Sequence, residues 1–254
     1  MGCHAEFLRV ASRDEALPRA VLADPWALES AAPDPAIRAL VRLARLVTES
    51  PWLLSLQERD AARAAGLDDA AILHAVLLAS YFGHLNRLAD AVGIELDYQV
   101  VNPPVPPDPL TPPFPRAPRE RWPAPQAAQA VNLDLRPGAA DALAAWRAHV
   151  LEREAPLSRP QRARIAGTVA EHLGDAAGVE RFRTDTPRTR LDVALVALAE
   201  VVTLSPWKLG AGTVAALRDA GLDSDLAVFD AISTATSCTT FSRVQVALCA
   251  LGQP

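Results

Sequence analysis

The sequence predicts an all-α protein of two tandem helical domains, related by internal duplication and joined by a proline-rich linker. Three observations predict it. Ala and Leu dominate a chain with few aromatic residues and sparse β-branched runs, a composition that favours helices. Eleven of the 22 prolines fall between Val101 and Gln126, where no helix or central strand survives. On either side of that stretch the same pattern recurs: 39–69 aligns without gaps on 194–224, an offset of 155, with 17 of 31 residues identical.

The first copy opens with a helix over 35–48 that carries Leu40, Leu43, Ala44 and Val47 on one face. Ser50-Pro51 stops it, because the residue before proline is pushed off the α region. A second helix over 56–65 ends at Gly66, a C′ glycine. Asp68 caps a third helix over 69–92, with Leu67 and Ile72 placed as a hydrophobic staple. That helix starts apolar on every side, which predicts burial of its first half, and Gly93 ends it. Ser205-Pro206, Gly221 and Asp223 repeat the order in the second copy, after a further helical pair over 139–155 and 159–173. The shared Ser-Pro-Trp and Ala-Gly-Leu-Asp turns mark a duplication rather than chance likeness between Ala-rich helices. The domains are therefore 1–100 and 127–254, with a linker over 101–126 that is extended and near polyproline II.

Composition excludes several function classes. A net charge of −5, from 25 basic and 30 acidic residues spread along the chain, gives no electrostatic case for nucleic acid or anionic lipid. Cys3, Cys238 and Cys249 cannot build a disulfide framework, and no CxxC occurs. Five scattered histidines lack metal-ligand spacing, so neither a metal nor another cofactor is expected. The apolar stretches at 70–83 and 191–202 are too short to span a membrane. Charged residues stand where a secretory segment needs an apolar core, so the expected location is the cytoplasm.

The polar residues of the helix over 69–92 are the best constellation. His74, Tyr81, His84, Asn86 and Arg87 interrupt an otherwise apolar sequence. His74 and Tyr81 are seven apart and share a face, and Arg87 can reach Asp90 at i+3. Asn86, Arg87 and Asp90 then form a structural or subunit-interface network. Alternatively His84, or His74 with Tyr81, lines a pocket between helices in which a histidine acts as general base. The second copy has Thr236, Ser237, Cys238, Thr239, Thr240 and Arg243 in this stretch and keeps neither histidine. Glu171 and His172 are adjacent, about 100° apart on a helix, and make no natural dyad. Cys238 and Cys249 fit small buried thiols, and Trp52 and Trp207 fit anchors of the recurring turn.

Segment 40–98 reads L-V-R-L-A-R-L-V-T-E-S-P-W, then A-A-G-L-D-D-A-A-I-L-H-A-V, then Y-F-G-H-L-N-R-L-A-D-A-V-G-I-E-L-D-Y. It closely resembles the distal part of peroxidase-related proteins of the alkylhydroperoxidase D (AhpD) / carboxymuconolactone decarboxylase (CMD) superfamily. They carry a similar x-F-x-x-x-N-R-L-A-D-A-L-G helix, here 81–93. Upstream, His4-Ala5-Glu6-Phe7-Leu8-Arg9 resembles the stretch just after that family's C-x-x-C-x-x-x-H redox site. The likeness covers 3–98 well and 157–251 as a weaker second copy. It implies two AhpD-like domains that assemble through helical faces into homo-oligomers. It also departs from the pattern. With His4 as the family histidine, the paired cysteines fall four and seven residues earlier, ahead of Met1, and Cys3 has the wrong spacing. In the second copy the corresponding region, 165–182, keeps Glu171 and His172 but has no cysteine.

Three functions stay open. The resemblance implies a peroxidase-related protein without a complete CxxC site, with Cys3 as a thiolate beside His4 acting on a hydroperoxide. A non-redox CMD-like enzyme would use His84 or His74 on a small organic acid or lactone, in a pocket with Tyr81, Asn86 and Arg87. A catalytically inactive subunit of the same fold would bind a protein partner.

Overall fold

The computed structural model describes residues 16–24, 26–94, 110–122, 133, 135–136 and 138–252. Among them are eleven α-helices and no strand. Two short helices, α1 (Ala16–Ala23) and α2 (Leu28–Ala31), precede α3 (Pro35–Glu49). Asp34 starts α3: its carboxylate accepts from the Ala36 amide at 2.8 Å, and Pro35 takes the first helical position, where no amide is needed. Ser50 breaks the helix at φ −156°, and Pro51–Leu53 forms a 3₁₀ turn. Ser55 and Gly66 bound α4 (Leu56–Ala64), and Asp68 caps the 24-residue α5 (Asp69–Val92) through the Ala71 amide at 2.7 Å. Gly66 and Gly93 both take positive φ, +97° and +68°, where a side chain would be strained.

The second half starts with α6 (Ala139–Leu151), α7 (Arg159–Leu173) and the short α8 (Ala176–Arg181). Then α9 (Arg190–Leu204), a 3₁₀ turn at Pro206–Lys208, α10 (Ala211–Asp219) and α11 (Asp225–Ala250) follow. Ser205 breaks α9 at φ −144°, ψ 55°, close to Ser50 at φ −156°, ψ 67°. The sequence pattern places the α11 cap at Asp223, but Ser224 makes it, accepting from the Ala227 amide at 3.2 Å. The turn is one residue longer here, so Arg87 of α5 corresponds to Arg243 of α11 at an offset of 156.

Helix α11 is buried along most of its length and belongs to both apolar clusters. In one cluster Val244, Ala247, Leu248 and Leu251 pack on Leu43, Val47, Ile72, Leu73 and Val76 from α3 and α5. In the other, Ile232, Ala235 and Phe241 pack on Ile165, Val169, Leu195, Leu198 and Val202, joined by Trp52 and Ala91 from the first half. Each fully buried Leu, Ile or Val is worth about 1.5–3 kcal/mol, so neither half is complete without the other. The Pro51–Leu53 turn packs on α11, and the Pro206–Lys208 turn packs on α5.

Two buried arginines cross between the halves. Arg87, 4 % exposed, donates from Nε to the Val202 carbonyl at 2.9 Å and from Nη1 to Gly83 O at 2.9 Å. Arg243, 2 % exposed, donates from Nε and Nη2 to the Thr48 carbonyl at 3.3 and 3.2 Å, and from Nη1 to Thr239 O at 3.4 Å. Val202 and Thr48 lie in the last turns of α9 and α3, where helix carbonyls lack intrahelical donors. Each long helix thus caps a helix of the opposite half, α5 capping α9 and α11 capping α3. A third buried guanidinium, Arg162, binds Asp230 at 2.5 and 3.2 Å and ties α7 to α11.

Residues 110–122, from the proline-rich stretch, lie along the second half as a strap. Its Phe114 amide donates to Leu204 O at 2.7 Å and its Ala117 amide to His172 O at 2.9 Å. Both acceptors are helix-end carbonyls of α9 and α7. The Phe114 ring stands edge-on to Trp207, and Pro118 holds φ −69°, ψ 140°, a polyproline II geometry. No single helix among the described residues is long and apolar enough to cross a membrane.

Burial pushes the Arg87 pKa down to about 10, and burial together with the charge of Arg87 pushes Arg243 well below its ordinary range. The two cations therefore repel each other. Arg87→Ala and Arg243→Ala each lose helix-capping hydrogen bonds, and each also relieves that repulsion. The double variant relieves it only once more than neither, so it should be less stable than the sum of the singles by about 0.5–3 kcal/mol. Urea unfolding of the four proteins measures this, and strict additivity would contradict the electrostatic coupling.

Candidate functional site

Cys3 and His4 lie outside the described residues. The remaining sequence candidates separate on α5. His84 is 8 % exposed and its ring packs edge-on to Trp146, with centroids 5.1 Å apart. Tyr81, half-exposed, also meets Trp146, and Trp146 meets Phe241 at 5.0 Å. His74 and Asn86 are exposed, and His74 sits about 15 Å along the helix axis from His84. Arg87 turns the other way, to Val202. The structure thus brings Tyr81 and His84 together and leaves His74, Asn86 and Arg87 apart from them. Burial lowers the His84 pKa, and a bond from its ring to the Thr236 carbonyl opposes this only in part. The ring's Nδ1 is buried with no hydrogen-bond partner among the described residues.

The described cysteines do not form a redox pair. Cys238 is buried, and desolvation pushes its thiol up to about 12, so it is protonated at neutral pH. Cys249 stands eleven residues further along the same helix, about 16 Å away along the axis, beyond disulfide reach. Among the described residues no group of three or more His, Cys, Asp or Glu side chains could hold a metal ion.

The chemistry collects instead in a cavity of about 390 Å³ between α6, α7, α8 and α11. Leu143, Leu151, Phe182, Phe241 and Val244 form its apolar wall, and Arg147, Asp175, Arg181 and Ser242 its polar one. Asp175 owes its place to local sequence. Gly174 ends α7 at φ +74°, and Asp175 then caps α8, accepting from the Gly178 amide at 2.9 Å. Its other oxygen accepts from the Ser242 hydroxyl of α11 at 2.9 Å. Gly178 has to be glycine, since a Cβ there would meet Asp175 Oδ2 at 2.5 Å and Ala170 Cβ at 2.8 Å. Asp175 is 7 % exposed, and burial raises its pKa against the opposing Gly178 and Ser242 bonds and the charges of Arg147 and Arg181.

Arg147 is half-buried, with its guanidinium 5.3 Å from the Phe241 ring centroid. Among the described residues no hydrogen-bond acceptor receives it. Burial and the charge of Arg181 lower its pKa, and Asp175 offsets them only in part. One carboxylate faces two guanidiniums, so the cavity carries one unmatched positive charge beside an apolar wall. That arrangement suits a small organic anion, and it places a protonatable carboxyl beside it.

Sequence reasoning missed Asp175, Arg147 and Ser242, which come from three separate segments. The one local signal was Gly174-Asp175 followed by Gly178, a helix stop, cap and close approach within five residues. No family model matches the chain, and no characterised protein or solved structure matches it.

The raised Asp175 pKa predicts a pH dependence. The folded state holds this proton more tightly than the unfolded chain. The resulting stability is complete below the ordinary value of 3.8 and is lost as pH rises through the higher folded value. Asp175→Asn keeps a capping side chain and removes the ionisation. Its Tm should gain on that of the wild type as pH rises from 3.8 toward neutrality, and a pH-independent Tm difference would contradict the assignment.

Proposed function

We propose that the chain is a non-redox protein of the AhpD/CMD-like type, whose second-half cavity binds a small organic carboxylate and exchanges a proton with it through Asp175. The observation that carries the proposal is Arg147, a cavity guanidinium with no acceptor among the described residues, next to a buried carboxyl of raised pKa. Arg147 receives the ligand's carboxylate through two parallel N–H···O bonds, and Arg181 adds attraction from the rim. Phe241, Phe182 and Leu143 enclose the apolar remainder. A volume of about 390 Å³ falls at the small end of ligand sites. Burial makes the Asp175 carboxylate more basic than an ordinary one, and in its ionised form it takes a proton from the carbon beside the bound carboxylate and returns it to the same carbon.

The resemblance supports this placement, because Asp175, Gly178, Arg181 and Phe182 lie within 165–182, the segment corresponding to the family's redox region. A duplicated ancestry with pseudo-dimeric packing is supported by the matching backbone of Ser50 and Ser205 and by the exchange of Arg87 and Arg243 between halves. Hydroperoxide chemistry would have to run through Cys3 or the partly exposed Cys249, since Cys238 is held as a thiol.

Calorimetric titration with a panel of aromatic and aliphatic monocarboxylates tests the proposal. Arg147→Gln is expected to weaken binding about 10–100-fold, the loss of a charge-assisted pair. Asp175→Asn is expected to retain binding and abolish deuterium uptake at the carbon next to the carboxylate, followed by NMR in heavy water. Equal affinity in wild type and Arg147→Gln would refute it. Thiol-dependent hydroperoxide turnover that vanishes with Cys3→Ala would replace it with the peroxidase reading.

A further inference from the structure

On the other side of Phe182 lies a second cavity, of about 480 Å³, roofed by Arg116 of the strap and walled by α7, α9 and the chain after α8. We infer that this cavity binds an uncharged, hydroxyl-rich molecule of about monosaccharide size. The first observation is His172. It lines the cavity, is 5 % exposed, and its Nε2 is buried with no hydrogen-bond partner among the described residues. Buried polar atoms in folded proteins are paired, so this nitrogen points to a group supplied from outside the chain. Burial, and next the neighbouring Arg116, hold the imidazole below its ordinary pKa, with Glu200 and Glu171 opposing. The neutral ring can donate to or accept from a hydroxyl.

The second observation is charge balance. Arg116 pairs with Glu200 at 2.6 Å. Arg164 pairs with Asp192 at 3.0 Å and donates to Asp185 O at 2.8 Å. Glu171 is held by Arg119 of the strap at 3.0 Å. Arg183 lies 3.9 Å from Glu180, and Asp185 3.6 Å from Arg188, so these lining charges are matched too. A charged ligand would bring an unmatched charge to this balanced lining. A hydroxyl does not, and paired guanidiniums and carboxylates retain further donors and lone pairs for it. Thr168, whose hydroxyl donates to Arg164 O at 2.9 Å, still has lone pairs to accept with. Phe182 offers an apolar surface for the C–H face of such a molecule. The volume lies within the usual range for small-ligand sites. The contrast with the first cavity is chemical: there a guanidinium lacks an acceptor among the described residues, here each lining charge has an opposite charge within 4 Å and the buried unfilled atom is a ring nitrogen.

The test uses the full chain with histidine imidazoles labelled by ¹⁵N, titrated with D-glucose, sorbitol and myo-inositol, and with gluconate and glucosamine as charged comparators. A saturable shift of the His172 ring nitrogens is expected with at least one neutral probe and a weaker one with both charged probes. Thr168→Val and His172→Phe are each expected to weaken binding about tenfold, while Arg147→Gln leaves it unchanged. His172 resonances that do not move up to about 0.1 M probe overturn the inference. Tighter binding of gluconate or glucosamine than of glucose overturns it as well, as does full affinity in both Thr168→Val and His172→Phe. Because Arg147→Gln acts on the carboxylate cavity alone, either site can fail without the other.

Discussion

Two buried guanidinium groups, neither hydrogen-bonded to a carboxylate among the described residues, hold the ends of the helices in place. Arg87 and Arg243 sit at equivalent points of the two longest helices, and each reaches the frayed carbonyl end of a helix in the opposite half. A helix C-terminus carries partial negative charge, so the hydrogen bonds of both cations go to helix dipoles, with the Asp90 carboxylate adding attraction at Arg87. In a low-dielectric interior such bonds are strong, but they depend on geometry and cannot follow a moving partner. The crossing therefore fixes α3 against α11 and α9 against α5 at the same time. Gly83 leaves room for the first of them, since a Cβ there would meet Arg87 Nη1 at 2.9 Å.

Helix α11 turns this scaffold into a site. It carries polar residues along a buried length, and two carboxylates near it meet different fates. Asp230, on α11 itself, takes Arg162, Arg153 and the Leu157 amide, so its charge is fully matched and its role is to anchor the loop before α7. Asp175, brought to α11 by the end of α7, takes only neutral donors, the Gly178 amide and the Ser242 hydroxyl. Its nearest cations face the cavity and do not bond to it. One carboxyl is structural and the other is left basic, and the difference lies in whether an arginine is close enough to donate.

Much of the helical framework was legible because helix ends are written locally. Asp34, Ser50-Pro51, Gly66, Asp68 and Gly93 each act on backbone within a turn of themselves. The cap at Ser224 rather than Asp223 shows the resolution limit of that reading, since either residue can cap and the length of the turn decides. Burial of the start of α5 was legible on one side only: Ile72, Leu73 and Val76 are buried, while Leu78 and Tyr81 remain half-exposed. Polar residues on an apolar helix suggested a pocket, yet their faces differ, and His74 looks outward while Arg87 looks inward. The acceptor of Arg87 lies 115 residues away in sequence, and no local pattern names it. Asp175 reads as an ordinary cap until Arg147 and Ser242 are placed beside it.

The strap over 110–122 is built so that little order has to be created when it docks. Its two backbone donors to the helix ends, Phe114 and Ala117, are three residues apart, one turn of a polyproline II helix. Prolines occupy 112, 113, 115 and 118, positions around those donors. Each removes an amide that the docking does not use and restricts φ near the bound value before contact is made. The segment behaves as a pre-shaped rod rather than a flexible thread, seated by two backbone hydrogen bonds, the Phe114–Trp207 contact, the Arg116 and Arg119 ion pairs and the packing of Ala117 and Trp122. Enrichment in proline here is then a statement about the undocked chain: a segment with few alternative shapes forfeits little entropy on settling into one.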